Sequence, residues 1–125
     1  MEDLHISGTK KTPEIKCLNT GYVRIEGRSI PEDPINFYEP LKNWIETYAK
    51  NPAKQTEVCI QLEYFNSGTS KILLTLLRML VELQPVSDVK IKWCYESGDD
   101  DIFERGDYFA SILEVDFEFV EIESE

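Results

Sequence analysis

The sequence predicts an α/β protein with the element order β-β-α-β-α-β-α-β: a mostly parallel mixed sheet opened by a hairpin, with helices mainly on one face. Three observations predict it. Strand-like and helix-like segments alternate after the hairpin, which calls for right-handed crossovers between parallel strands. Two inner strands each carry one clean apolar face and one mixed face, the latter bearing Gln61, Glu63, Lys90 and Lys92. A sheet covered on both sides would be apolar throughout, so the mixed face is partly solvated. The chain has 125 residues with no linker, repeat or low-complexity stretch. Residues 1–125 therefore read as one domain, large enough to bury a core without disulfide or metal.

The elements follow in order. Ile15–Leu18 and Tyr22–Glu26 read as two strands, with Asn19-Thr20-Gly21 supplying the turn and Gly21 free to take positive φ. Pro31-Glu32-Asp33-Pro34 breaks the pattern; Asp33 caps a helix and Pro34 suits its first turn. Phe37, Leu41, Trp44, Ile45 and Tyr48 then form one helical stripe. Pro40 inside this helix removes a backbone donor and is expected to kink it or split off its first turn. Asn51-Pro52 ends it.

Glu57–Phe65 alternates as a strand, with Val58, Ile60, Leu62 and Tyr64 on one face and Cys59, Gln61, Glu63 and Phe65 on the other. Asn66 to Ser70 reads as a small polar break. Lys71 to Leu83 is a helix apolar on most sides, expected to be the most buried one. Asp88–Glu96 is the next strand, with Val89, Ile91, Trp93 and Tyr95 on one face. After Ser97-Gly98, Asp99-Asp100-Asp101 opens a third helix through about Leu113, its acids set against the helix dipole. Val115–Ile122 is the last strand, and the final few acidic residues are expected to fray.

Charge narrows the function. Thirteen Lys and Arg against 24 Asp and Glu leave a net charge of −11. Nucleic acid as a partner is disfavoured, because phosphate binding needs cations that displace counterions. Docking on anionic membrane lipid is disfavoured for the same reason. The longest apolar stretch, Ile72–Leu83, is too short and too charged to span a bilayer. The N-terminus has no basic segment followed by an apolar run, so no secretory signal is read. Cys17, Cys59 and Cys94 lie far apart in sequence, in strand-like segments, with no metal-type spacing; they read as small, buried, reduced thiols. Together these features point to a cytoplasmic protein.

Most catalytic constellations are missing. His5 is the only histidine, so neither a Ser-His-Asp triad nor a histidine metal site is expected. Neither dinucleotide nor P-loop glycine pattern occurs, and Gly68-Thr69-Ser70-Lys71 echoes a phosphate loop only faintly. The G-x-S-x-G elbow is absent. Asp99 to Asp101 read as a solvated cap rather than a cation site. No cofactor or metal is expected, and the chain reads as a non-enzyme.

One segment carries chemistry: Tyr64-Phe65-Asn66-Ser67-Gly68-Thr69-Ser70-Lys71, between a buried-type strand and a buried-type helix. It sets three hydroxyls within four residues at a helix N-terminus. One reading is capping, with Ser67 or Thr69 accepting from the first free N–H groups. The other is a phosphorylation switch, because free N–H groups and the positive dipole end tolerate a phosphoryl group. Roughly two added negative charges at an exposed corner would repel an acidic partner or recruit a basic one. From residue chemistry alone both stay open.

Asn66-Ser67-Gly68 between an apolar strand and an apolar helix resembles the phosphosite loop of STAS domains, the anti-sigma-factor-antagonist fold. A closer similarity is to the SiaC family of regulatory phosphoproteins. It rests on Gly8 to Pro13, Gly27-Arg28-Ser29-Ile30-Pro31-Glu32, Phe37-Tyr38-Glu39-Pro40-Leu41-Lys42-Asn43-Trp44, and Leu62 to Ser67 with Ser70-Lys71. These stretches occur in the family's order and cover nearly the whole chain.

The resemblance implies a STAS-like fold without catalysis of its own. It implies a cognate Ser/Thr kinase that phosphorylates a loop hydroxyl and a PP2C-type phosphatase that removes the phosphate. It further implies that the unphosphorylated form binds and activates a diguanylate cyclase, which couples the protein to cyclic-di-GMP signalling and biofilm formation. By position the phosphoacceptor is Ser67, directly after Asn66, with Thr69 and Ser70 as alternatives. The family commonly has Thr followed by two serines there, whereas this chain has Ser67, Gly68, Thr69 and Ser70. The expected partner-binding loop is Asn66, Gly68, Thr69, Ser70 and Lys71. Tyr38 and Lys42, off the apolar stripe, are expected to be exposed contacts. Lys71 either steadies a phosphoryl group or is a solvated first-turn residue. Two other readings remain: an anti-sigma-factor antagonist acting on a kinase-type partner, and a small anion- or nucleotide-binding domain using the Asn66–Lys71 loop.

Overall fold

The structure, a computed structural model, describes residues 1–123. Any fraying of Ser124 and Glu125 lies outside the described residues. Six strands form one sheet in chain order. They are β1 (Leu4–Ile6), β2 (Glu14–Leu18), β3 (Tyr22–Ser29), β4 (Gln55–Phe65), β5 (Asp88–Glu96) and β6 (Glu118–Ile122). The helices are α1 (Pro34–Tyr48), α2 (Ser67–Val81) and α3 (Asp100–Leu113). Strands β1, β2 and β3 pair antiparallel, and β3 through β6 pair parallel. Each parallel step moves one place along the sheet, so right-handed crossovers put all three helices on the same face. Helix α2 lies in the middle and touches both α1 and α3.

The covered face presents Val23, Ile25, Val58, Ile60, Leu62, Ile91 and Trp93. They share one buried cluster with Leu41 and Ile45 of α1, Leu73, Leu76 and Leu77 of α2, and Phe109 of α3. The other face carries Arg24, Cys59, Gln61 and Lys92, all partly exposed. This is the mixed, half-solvated sheet that the strand pattern predicts.

Gly21 explains the tight hairpin. Its φ is +110°, and a Cβ there would lie 2.3 Å from the Gln55 carbonyl oxygen. Helix α1 begins as expected, with the Asp33 carboxylate accepting from Asn36 N–H at 3.1 Å and Pro34 in the first turn.

Five expectations are corrected. Strand β1 was not expected. Three residues carry too little alternation to register, yet Leu4, His5 and Ile6 pair with Cys17, Lys16 and Ile15. The opening segment is also tied down by Trp44 Nε1–H, which donates to the Glu2 carbonyl at 3.0 Å. Of the two outcomes expected for Pro40, splitting off the first turn does not occur, since α1 runs unbroken from Pro34 to Tyr48. Helix α2 starts at Ser67 rather than Lys71, so the polar break is its cap and first turn. The faces of Tyr64 and Phe65 are exchanged. Gly27 stands opposite Leu62 and Arg28 opposite Tyr64, so Glu63 is an extra, unpaired residue in β4. That bulge inverts the alternation beyond it: Phe65 is fully buried while Tyr64 is 42% exposed. Finally, the cysteines are not uniformly buried, since Cys59 is only half-buried.

Candidate functional site

The site is the junction of β4 and α2. Asn66 has extended backbone angles and caps α2, its side-chain oxygen accepting from Thr69 N–H at 2.9 Å. Its own N–H donates to the Ser29 carbonyl at 3.2 Å, which anchors the junction to the end of β3. The cap is therefore Asn66, and neither Ser67 nor Thr69 serves in that role.

The hydroxyls of the first turn go to different places. Ser67, the first residue of α2, is exposed, and Ser70 is half-buried. Thr69 is fully buried. Its hydroxyl donates to the Ser29 carbonyl at 3.1 Å and lies 2.9 Å from the Ser29 hydroxyl. The Ser29 hydroxyl also lies 2.7 Å from that of Tyr38. Tyr38 thus corrects a second site expectation: it is a fully buried member of this network and not an exposed contact. Burial pushes its phenol up to about 12, opposed by the Ser29 hydrogen bond. Lys42 is half-buried and Lys71 exposed.

Gly68 sets how closely the helices approach. A Cβ on it would fall 2.8 Å from Cγ of Pro34, at the start of α1. Between these helix starts lies a shallow groove of about 310 Å³ lined by Pro34, Ile35, Gly68, Lys71, Ile72 and Thr75, with Glu32 and Asp33 at its rim. Ile35 is 69% exposed there, which is unusual for an isoleucine in the first turn of a helix.

Two guanidinium groups flank the other side of the junction. Arg28 and Arg105 each lie 5.9 Å from the centre of the Tyr64 ring. Arg105 also covers Phe65 at 4.6 Å and donates to the Phe65 carbonyl at 2.7 Å. These two cations thus stand over Tyr64 and Phe65, just before the Asn66 cap, and Arg105 also pairs with Asp101 at 3.4 Å. The sequence reading assigned no role to Ser29, Arg28, Ile35 or Arg105. Ser29 and Arg28 did fall within a stretch that carries the family resemblance; Ile35 and Arg105 had no such signal, because their neighbours come from other elements.

Among the described residues no cluster of three or more His, Cys, Asp or Glu could hold a metal ion, and no helix is long and apolar enough to cross a membrane. The arrangement presents a capped helix start with Ser67 exposed at its first position and an apolar groove lined by Gly68, Lys71 and Ile72 of the same helix. That is the surface of a regulatory binding domain. The chain belongs to the SiaC family of regulatory phosphoproteins, whose model matches residues 6–122.

The fold is similar to SiaC of Pseudomonas aeruginosa, with a TM-score of 0.84 and 26% identity over 99% of this chain and 100% of that one. It is equally similar to a structure described as the diguanylate cyclase SiaD in complex with its activator SiaC, from the same organism. There the TM-score is 0.85 at 26% identity, covering 98% of this chain and 100% of the other. An uncharacterized protein of Pseudomonas aeruginosa strain UCBPP-PA14 is 28% identical over 111 residues, 87% of this chain and 88% of its own.

Proposed function

We propose that this protein is a non-enzymatic activator of a diguanylate cyclase, switched off by phosphorylation of Ser67. The observation that carries the switch is the contrast between Ser67 and Thr69. Ser67 is exposed at the first position of a capped helix, whereas the Thr69 hydroxyl is spent on Ser29 inside the protein. A kinase reaches the first without unfolding the helix start and does not reach the second. The likeness to the cyclase-bound relative supports the partner.

The chemistry of the switch follows from the surroundings. A phosphoryl group on Ser67 adds a charge of about −1.5 to −2 at a helix N-terminus, where the dipole and free N–H groups favour it. Lys71, four residues on, lies on the same side of the helix. The domain therefore keeps its fold when modified. The neighbouring surface of Ile35 and Ile72 would lose its partner instead, because docking would require the phosphate to be desolvated. A cognate Ser/Thr kinase and a PP2C-type phosphatase complete the cycle, in the cytoplasm.

The test is binding of the full chain to the cyclase from its own cells, before and after phosphorylation by the cognate kinase. Phosphate should map to Ser67, with at least a ~10-fold loss of affinity. Ser67→Ala should bind the cyclase and take up no phosphate. Phosphate on Thr69, or equal affinity of the two forms, overturns the assignment.

A further inference from the structure

The open face of the sheet holds a feature that the phosphorylation switch does not use. Cys59 on β4 and Cys94 on β5 are 35 residues apart in sequence, yet their sulfurs lie 3.9 Å apart. Cys59 is half-buried and Cys94 is 7% exposed. In register, Cys59 stands opposite Arg24 of β3 and Lys92 of β5, so a cation flanks it on each neighbouring strand. Those cations also serve carboxylates: Lys92 pairs with Glu57 at 3.2 Å, and Arg24 with Glu14 and Glu26. Cys94 lines a hollow of about 520 Å³ at the carboxyl ends of the strands, between the ends of β4 and β5. Cys59 does not line that hollow; a small solute reaches Cys59 instead from the half-solvated face of the sheet, where it is partly exposed.

We propose that Cys59 and Cys94 form a redox-active dithiol that a hydroperoxide closes to a disulfide across β4 and β5. The Cys59 thiolate attacks one peroxide oxygen, the O–O bond breaks, and the released hydroxide takes up the proton that Cys59 gave up. Cys59 is then a sulfenic acid. The Cys94 sulfur attacks it, the S–OH bond breaks, and the departing hydroxide takes the Cys94 proton. Two thiols and one peroxide become one disulfide and two waters (for hydrogen peroxide): the sulfur pair gives up two electrons and the peroxide accepts them.

The environment sorts the two roles. The Cys59 thiol is held below its ordinary range, chiefly by the hydrogen bond from Cys94, with Arg24 and Lys92 assisting and burial and Glu57 opposing. Cys94 is correspondingly pushed up by the same hydrogen bond and by burial. Flanked by Arg24 and Lys92 and less buried than its neighbour, Cys59 is the nucleophile and Cys94 the resolving thiol. Cys17 is a built-in control: it is fully buried on the covered face, and burial pushes it up to about 12. Closing the bond to about 2.05 Å draws the sulfurs together by rotation of both side chains and a local strand adjustment. The β4–β5 ladder runs from Gln55–Asp88 to Ile60–Trp93, so the pair sits at its end, where the strands can yield.

The experiment uses the full-length reduced chain, hydrogen peroxide near stoichiometry, and N-ethylmaleimide under denaturing conditions. The expected product has lost the mass of two hydrogens, keeps one alkylatable thiol, Cys17, and yields a peptide joining Cys59 to Cys94 that dithiothreitol separates. In Cys94→Ser, Cys59 should stop as a sulfenic acid that dimedone labels. In Cys59→Ser, peroxide consumption should fall at least ~10-fold. Three alkylatable thiols after peroxide overturn the proposal, as do a bridge to Cys17 or only disulfides between two chains.

Discussion

The Thr69 hydroxyl donates to the Ser29 carbonyl at 3.1 Å, joining the first turn of α2 to the last residue of β3. The same oxygen is 2.9 Å from the Ser29 hydroxyl, which in turn meets Tyr38 of α1. Three elements are thus tied together at the start of α2, and the hydroxyls of Thr69 and Ser67 differ in kind. One holds the helix start in place and the other faces solvent.

That division is testable by stability. Thr69→Val removes both bonds at a fully buried site, while Asn66 N–H and Tyr38 still reach the Ser29 carbonyl and hydroxyl, so it should cost about 1 kcal/mol in urea unfolding. Thr69→Ser keeps the hydroxyl and should recover most of that loss. Ser67→Ala should fall within about 0.5 kcal/mol of the native chain, as an exposed substitution does. A Ser67→Ala cost equal to that of Thr69→Val would contradict the assignment of the two hydroxyls.

Gly106 of α3 leaves room for an indole. A Cβ there would lie 2.5 Å from both Cδ1 and Nε1 of Trp93, whose N–H donates to the Ile102 carbonyl at 2.9 Å. Gly106→Ala must push α3 off the sheet or turn the ring out of its bond. The expected loss is about 3 kcal/mol, with a changed tryptophan emission. An unaltered denaturation curve would show that α3 packs farther from Trp93.

Glu114 ends α3 in the left-handed region, with φ 56° and ψ 42°. A side chain is strained there and glycine is not. Glu114→Gly should raise stability by about 1 kcal/mol, read as a higher melting temperature. A lower one would mean that this helix end does not keep its conformation.

Acid should weaken the β2 side of the sheet. Hydrogen bonds from His5 and then Arg24 hold the Glu14 carboxyl below its ordinary 4.5. A lowered folded-state pKa contributes stability that is present above the unfolded value and lost as pH falls through the folded one. The urea midpoint should therefore drop as pH falls below about 4.5, and Glu14→Gln should flatten that part of the profile. An identical slope in the variant would assign acid sensitivity to other carboxylates.

Much of this was legible in the sequence. Alternation placed Val58, Ile60 and Leu62 inward, Asp33-Pro34 marked a helix start, and the mixed strand faces announced a sheet covered on one side. Each is a local rule that a few neighbouring residues satisfy among themselves. The Asn66–Lys71 segment stood out for the same reason, since hydroxyls at a strand–helix junction are visible in a row of letters.

Tertiary structure decided the rest. One unpaired residue, Glu63, exchanged the faces of Tyr64 and Phe65, because strand parity holds only while pairing is uninterrupted. Tyr38 sits at the margin of the helical stripe, where periodicity does not separate core from surface, and the hydroxyl of Ser29 nine residues earlier settled it. Thr69 differs from Ser67 only through Ser29, 40 residues before it in the chain. Cys59 and Cys94 became neighbours because two parallel strands, joined through α2, lie side by side. Sequence pattern by itself thus determined the three helices, the strands other than β1 and the covered face, through local periodicity and capping. Which hydroxyls and thiols remain available for chemistry depended on partners distant in the chain, because burial and hydrogen bonding are set by what the fold brings alongside.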